Sequence, residues 1–208
     1  MVDPELLAPD DPRLASTPDL AVALHLLRAA ALTDDVSRGH RDAVAAFVAE
    51  HPDAAARSCV EGHLTGSGLV VDASATRTLL MLHRKLGRWF QPGGHADGDA
   101  NLAAVALREA SEETGIAGLR VALPAIDVDV HEVRPPAEVP HLHLDVRFLV
   151  VAPPSAHEEG NEESLALRWV TVSDLDGLDP PIDPSTRRLV IRGLAVAARL
   201  GVGERGPS

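Results

Sequence analysis

Residues 93 to 116 read GGHADGDANLAAVALREASEETGI, and this stretch decides how the rest of the chain is understood. On a helical wheel stepping about 100° per residue, Leu102, Val105, Glu109, Glu112, Glu113 and Ile116 share one sector. Three carboxylates thus prolong an apolar stripe, where the helix is expected to meet the rest of the protein. Like charges three and four residues apart repel, and desolvated carboxylates are costly unless protonated, paired or metal-bound. Two readings meet that requirement. In one, Arg108 pairs with Glu112 across a turn and the helix is a charged structural element. In the other, a hard divalent cation neutralises what Arg108 leaves. Gly93, Gly94 and Gly98 favour the second, because a glycine-rich turn lets bare backbone approach such a site. The helix is expected from about Asn101 to Thr114, with Gly115 as a left-handed cap.

Outward from this segment, strands are expected at Leu69 to Asp72 and Thr76 to His83, joined by a turn at residues 73 to 75. Further strands follow at Leu119 to Leu123, Ile126 to Val133, His141 to Val151 and Ala166 to Val172. In the third of these, Leu142, Leu144, Val146 and Phe148 alternate with His141, His143, Asp145 and Arg147, the pattern of a strand with two different faces. A last helix runs from about Pro184 to Leu200. Near the amino terminus, helices are expected at Asp19 to Leu32 and, capped by Thr33 to Asp35, onward to Glu50, where His51 and Pro52 stop it. Residues 53 to 60 read as a short helical turn. The Pro- and Asp-rich segment before Pro18 has no periodicity and reads as a surface-draped tail. This division gives a tail and helical extension at 1–60, a main domain at 61–200 and a disordered tail at 201–208.

The chain has 208 residues, 45% hydrophobic and 24% charged, within the range of globular proteins. Its 31 acidic and 19 basic residues give a net charge of -12. Such a surface repels nucleic-acid polymers and anionic membranes, so neither is expected as a partner. A small phosphorylated substrate would need local neutralisation, which a cation held by carboxylates supplies. Cys59 is the only cysteine, which excludes an intrachain disulfide and fits a reducing compartment. The acidic start lacks the features of a secretory signal, and no stretch reaches the roughly 20 apolar residues of a membrane span. A cytoplasmic location is expected. The scarcity of lysine beside abundant arginine and alanine resembles a GC-rich bacterial genome.

The 93–116 segment resembles the Nudix box, which reads Gly, five residues, Glu, seven residues, Arg-Glu, an aliphatic residue, any residue, Glu-Glu, any residue, Gly and an aliphatic residue. Counted from Gly94, Arg108, Glu109, Glu112, Glu113, Gly115 and Ile116 occupy the required positions, and Ala110 stands for the first aliphatic residue. The flanking runs LVVDASATRTLLMLHRKLGRWFQPGG and ESLALRWVTVSDL are similar to the strands around that box, so the likeness spans about residues 62 to 178. It implies an α+β fold, an α/β/α sandwich with a mixed central sheet, to which this chain adds an N-terminal helical extension. It also implies a hydrolase that uses Mg2+ or Mn2+ to cleave the pyrophosphate bond of a nucleoside diphosphate linked to another moiety. Carried onto this sequence, the metal ligands would be Glu112, Glu113, Glu109 and the Gly93 carbonyl, with Glu163 (Glu162 and Glu159 as alternates) as a further acidic ligand. Glu109 would also be the candidate base and Arg108 would orient the glutamates. Ala100 replaces the first box Glu, which in the family pairs with the box Arg; Asp97 or Asp99 is the expected substitute partner for Arg108.

Several features lie outside the box. His131, His141 and His143 alternate with Asp127, Asp129 and Asp145, and His83 and His95 flank the box loop. Pocket lining, a second metal site and hydrogen-bonded strand residues are all open readings. Arg84, Lys85, Arg88 and Arg147 are candidates for phosphate contacts. The amino-terminal helices would cover the sheet, complete the pocket or form a homodimer contact. The rival function is a Nudix-fold sensor that binds a nucleotide metabolite without hydrolysis, which loss of the box glutamates would favour. Isoprenoid diphosphate isomerisation would want a cysteine after the first strands, and Cys59 lies before them.

Overall fold

The alternating run at 141 to 151 forms the centre of a mixed sheet in the computed structural model, which describes residues 4–134 and 139–200. The strands are β1 (Glu5–Leu7), β2 (Gly62–Val71), β3 (Thr78–His83), β4 (Arg88–Phe90), β5 (Gly93–His95), β6 (Arg120–Val133), β7 (His141–Val151) and β8 (Ser164–Val170). The helices are α1 (Leu20–Ala29), α2 (Asp35–Glu50), α3 (Leu102–Thr114) and α4 (Pro184–Arg199). Strand order is β1-β6-β7-β2-β3-β4, with β5 paired to β2 and β8 to β3. β2 and β7 run parallel from Gly62 opposite Leu142 to Val71 opposite Val151, while the other pairs are antiparallel.

Alternation sorts the side chains of this sheet between two apolar cores. Leu64, Val70, Val128, Leu144, Val146 and Phe148 pack with α1, α2 and α3. Leu69, Val71, Ile126, Leu149 and Val151 pack instead under Leu189, Val190, Leu194 and Ala197 of α4. The α/β/α sandwich expected from the resemblance is therefore present. Gly66 and Gly68 let α3 sit directly on β2: a Cβ would lie 2.7 Å from the Leu102 carbonyl at one and 2.9 Å from the Ala106 carbonyl at the other.

The polar residues of β6 and β7 are spent differently. Arg147, 4% exposed, reaches Asp145 at 2.7 Å, Asp129 at 3.2 Å and Asp127 at 3.3 Å. Arg188 and Arg192 of α4 join Asp127, and Ser185 donates to Asp129. Burial alone would raise Asp129, but His131, Arg147, Ser185 and Arg188 outweigh it and hold the carboxyl far below its ordinary range. Arg147 is thus saturated inside the sandwich, which removes it as a phosphate contact.

The amino-terminal segment differs most from expectation. Residues 5 to 7 are an edge strand on β6 and Pro12–Leu14 a 3-10 turn, with Leu7 and Leu14 buried in the α1–α3 core. Three residues give too short a run for alternation to show, so the strand was invisible to pattern. Residues 53 to 60 form turns without a helix, though Ala54, Ala55 and Cys59 are buried. The first core strand starts at Gly62, where glycines hide its pattern, and the strands expected at 119–123 and 126–133 are one strand interrupted between Ala122 and Asp127. The tail at 201–208 lies outside the described residues. Among the described residues, no helix is long and apolar enough to cross a membrane.

Candidate active site

The box loop and helix are held in place by their own sequence. Asn101 caps α3, and Gly115 ends it in the left-handed conformation at φ 66°. The loop before the helix is stitched to the amino-terminal segment. The Ala100 amide donates to the Thr17 carbonyl at 2.6 Å, Thr17 N–H to Asp99 Oδ1 at 3.1 Å, and Asn101 Nδ2 to the Arg13 and Ala15 carbonyls at 2.9 and 3.1 Å. Ala100 is fully buried against this strap, an environment suited to a methyl group rather than a carboxylate.

Along α3 the three glutamates take distinct positions. Glu113 is 5% exposed and accepts the Gly93 N–H at 2.9 Å. Burial pushes its carboxyl up to about 8, with Glu109, Glu163 and Glu112 adding repulsion and the Gly93 amide opposing them. Glu109 is half-buried and also raised, chiefly by burial, against the pull of Arg108. Glu112 is exposed, so the stripe of three carboxylates is graded from core to solvent. Gly94 abuts Glu109: a Cβ there would meet Oε2 at 2.4 Å.

Arg108 pairs with Glu109 rather than Glu112. Its Nη2 donates to Glu109 Oε1 at 2.9 Å and, more loosely, to the His95 carbonyl at 3.4 Å. Neither expected substitute reaches it. Asp97 is taken by Arg57 at 2.6 and 2.8 Å, and Asp99 accepts the amides of Thr17 and Asn101. Without the first box Glu, Arg108 is therefore anchored by a neighbouring box residue and by backbone.

Behind the C-terminal end of α3 runs the acidic segment before β8. Glu159 N–H donates to the Thr114 carbonyl at 2.7 Å, and Asn161 Nδ2 approaches the Glu112 carbonyl at 3.5 Å. Glu163 lies close enough to raise Glu113 by repulsion. Glu162 offers its carbonyl to Arg84, which is thereby occupied in joining this segment to β3. An open cleft of 630 Å3 lies over the box, with Arg108, Glu109 and Glu112 on one side and Asp97, Ser16 and Arg57 among its other walls. The amino-terminal quarter therefore both covers the sheet and lines the cleft.

A second cluster was only partly foreseen. His143 of β7 lies opposite His63 of β2, and His95 of β5 joins them, with ring centroids 4.9 to 5.2 Å apart. Burial keeps all three rings neutral, lowering His95 to about 4 and His143 to about 2. His131 bonds Asp129 and His141 the Val139 carbonyl. His63 was overlooked, although His63, Thr65 and Ser67 alternate in the sequence as a strand face does. Cys59 is a buried thiol whose pKa burial raises, an inert group.

These features meet a known family. The NUDIX domain profile matches residues 62–192. The fold is similar to that of a Nudix hydrolase from M. smegmatis, RenU, with 24% identity, a TM-score of 0.51, and coverage of 69% of this chain and 91% of that one. A NUDIX family hydrolase from Clostridium perfringens aligns at 20% identity and a TM-score of 0.49, covering 66% of this chain and 97% of that one. No curated protein matches the chain in sequence. With the profile spanning more than half of its length and Glu109, Glu112 and Glu113 of the box in place, the chain belongs to the NUDIX domain family, as a Nudix hydrolase.

Proposed function

We propose that this hydrolase cleaves the pyrophosphate bond of a small nucleoside diphosphate linked to another moiety, with Mg2+ or Mn2+ held by box carboxylates. The observation that carries this reading is Glu113, a buried carboxyl tied to the Gly93 amide and surrounded by the negative charge of Glu109, Glu112 and Glu163. An all-oxygen set of Glu109, Glu112, Glu113 and the Gly93 carbonyl, with Glu163 as an outer acidic ligand, suits a hard divalent cation. When bound, that cation supplies charge neutralisation for the diphosphate and the attacking water. Arg108 fixes Glu109 at 2.9 Å, which leaves Glu109 positioned to orient a water and take its proton. The cleft beside it has room for a nucleotide-sized ligand. A non-catalytic sensor would not need all three glutamates.

A phosphate-release screen over nucleotide sugars, dinucleotide cofactors, oxidised nucleoside triphosphates and coenzyme A compounds tests the reading, with and without Mg2+. Turnover that requires the cation and disappears in Glu113→Gln is expected. Full activity in that variant, or in excess chelator, would overturn the proposed metal centre.

A further inference from the structure

We propose that His63, His95 and His143 form a binding site for a borderline transition metal of the Zn2+, Co2+ or Ni2+ class, separate from the box carboxylates. One ring nitrogen from each residue lies within 4.8 Å of the others. The three come from different strands, brought together by the parallel register of β2 with β7 and the pairing of β5 on β2. Nothing in local sequence forces this meeting; the sheet makes it.

The second observation is the state of His63. His63 is 3% exposed, and neither ring nitrogen makes a hydrogen bond of good geometry, although the Cys59 backbone stands close enough to act on the ring. A buried polar group in that condition is costly unless a ligand satisfies it. A structural histidine at such a position would normally bond a carbonyl or carboxylate, as His141 and His131 do nearby. Imidazole also discriminates in the right direction: it suits Zn2+, Co2+ and Ni2+, whereas Mg2+ prefers the oxygens of the box. Nitrogens sharing a tetrahedral ion at about 2.0–2.1 Å stand about 3.4 Å apart, so binding would draw the three rings together from within 4.8 Å.

The surroundings supply the remaining parts of such a site. His141 stands beside the three, its ring 4.8 Å from His63 and 5.4 Å from His143. Its Nδ1 faces the Val139 carbonyl at 2.9 Å. An ion at His95 would also stiffen β5, whose Gly93 holds Glu113 and whose His95 carbonyl meets Arg108. The site would therefore brace the box from outside it.

The test is a Co2+ titration of the tag-free full chain in excess Mg2+, read by visible absorption and calorimetry. One Co2+ per chain is expected, bound at least about tenfold more weakly by His63→Ala and His143→Ala and unchanged in Glu113→Gln. Absence of Co2+ binding in the wild type overturns the proposal, as does equal affinity in both histidine variants or loss of binding in Glu113→Gln. Should either histidine variant fail to fold, X-ray absorption of the wild-type Zn2+ protein decides: imidazole scattering supports the site, and a shell of oxygen ligands alone overturns it.

Discussion

Gly94 touches the carboxylate of Glu109 so closely that a Cβ would stand 2.4 Å from Oε2. The contact places the catalytic candidate against backbone on one side and Arg108 on the other. Gly94→Ala should displace Glu109 by about an ångström. Because the displaced atoms end a flexible side chain, thermal stability should change little, while kcat falls on the order of 100-fold. Steady-state kinetics beside a thermal melt would separate these effects, and an unaltered kcat would remove Glu109 from the chemistry.

Asn101 ties two elements together: it caps α3 and donates to the carbonyls of Arg13 and Ala15 in the amino-terminal strap. Asn101→Ala should cost about 1–2 kcal/mol in urea unfolding. Release of the strap also loosens a wall of the cleft, so KM should rise more than kcat falls.

Arg147 pairs with Asp127, Asp129 and Asp145 within the sandwich, beside Arg188 and Arg192. Arg147→Met should destabilise the protein by about 3–5 kcal/mol at neutral pH, since the buried Asp145 loses its guanidinium partner and Asp127 and Asp129 are left to Arg188 and Arg192. The response to acid should reverse. In the wild type Asp129 is depressed, so its contribution is present above the ordinary carboxyl pKa and is lost as pH falls below it. In the variant Asp145 loses its guanidinium partner while Arg188 still holds Asp127 and Asp129, so protonating Asp145 on acidification should restore part of the lost stability. Urea midpoints between pH 4 and pH 7 should therefore converge.

Glu113 predicts the opposite slope from Asp129 in the metal-free protein. Its folded value of about 8 exceeds that of an unfolded glutamate, so folding binds the proton more tightly. Its contribution is complete below the unfolded pKa and lost as pH rises through the folded one. In chelator, the Tm should decline between about pH 5 and pH 8, and Glu113→Gln should flatten that decline and melt several degrees higher at pH 8. Parallel profiles for the two proteins would show that Glu113 is not the titrating group.

The box helix was legible because helical periodicity, a capping glycine and misplaced carboxylates all fall within one short segment. The strand at 141 to 151 was legible because each face keeps one chemistry. The short strands β4 and β5 were not, since three residues cannot display a period. Nor could local spacing show Arg57 on Asp97, two residues forty positions apart in sequence. The pairing of Arg108 with Glu109 turned on rotamer choice between two carboxylates in reach, which a wheel does not resolve. His63 was hidden because its strand alternates with glycine instead of large apolar residues.

The parallel seam of β2 and β7 ties residues 62–71 to residues 142–151. A nascent chain therefore finishes the box helix well before the partner strand that completes its platform has been made. Until β6 and β7 have both emerged, the apolar faces of α1, α2 and α3 lack much of the sheet on which they pack. Pairing across so long a loop closes slowly, because its entropy must be spent before any contact rewards it. The order of synthesis thus leaves the box helix assembled early and supported late, and the interval between is when this protein is most open to aggregation.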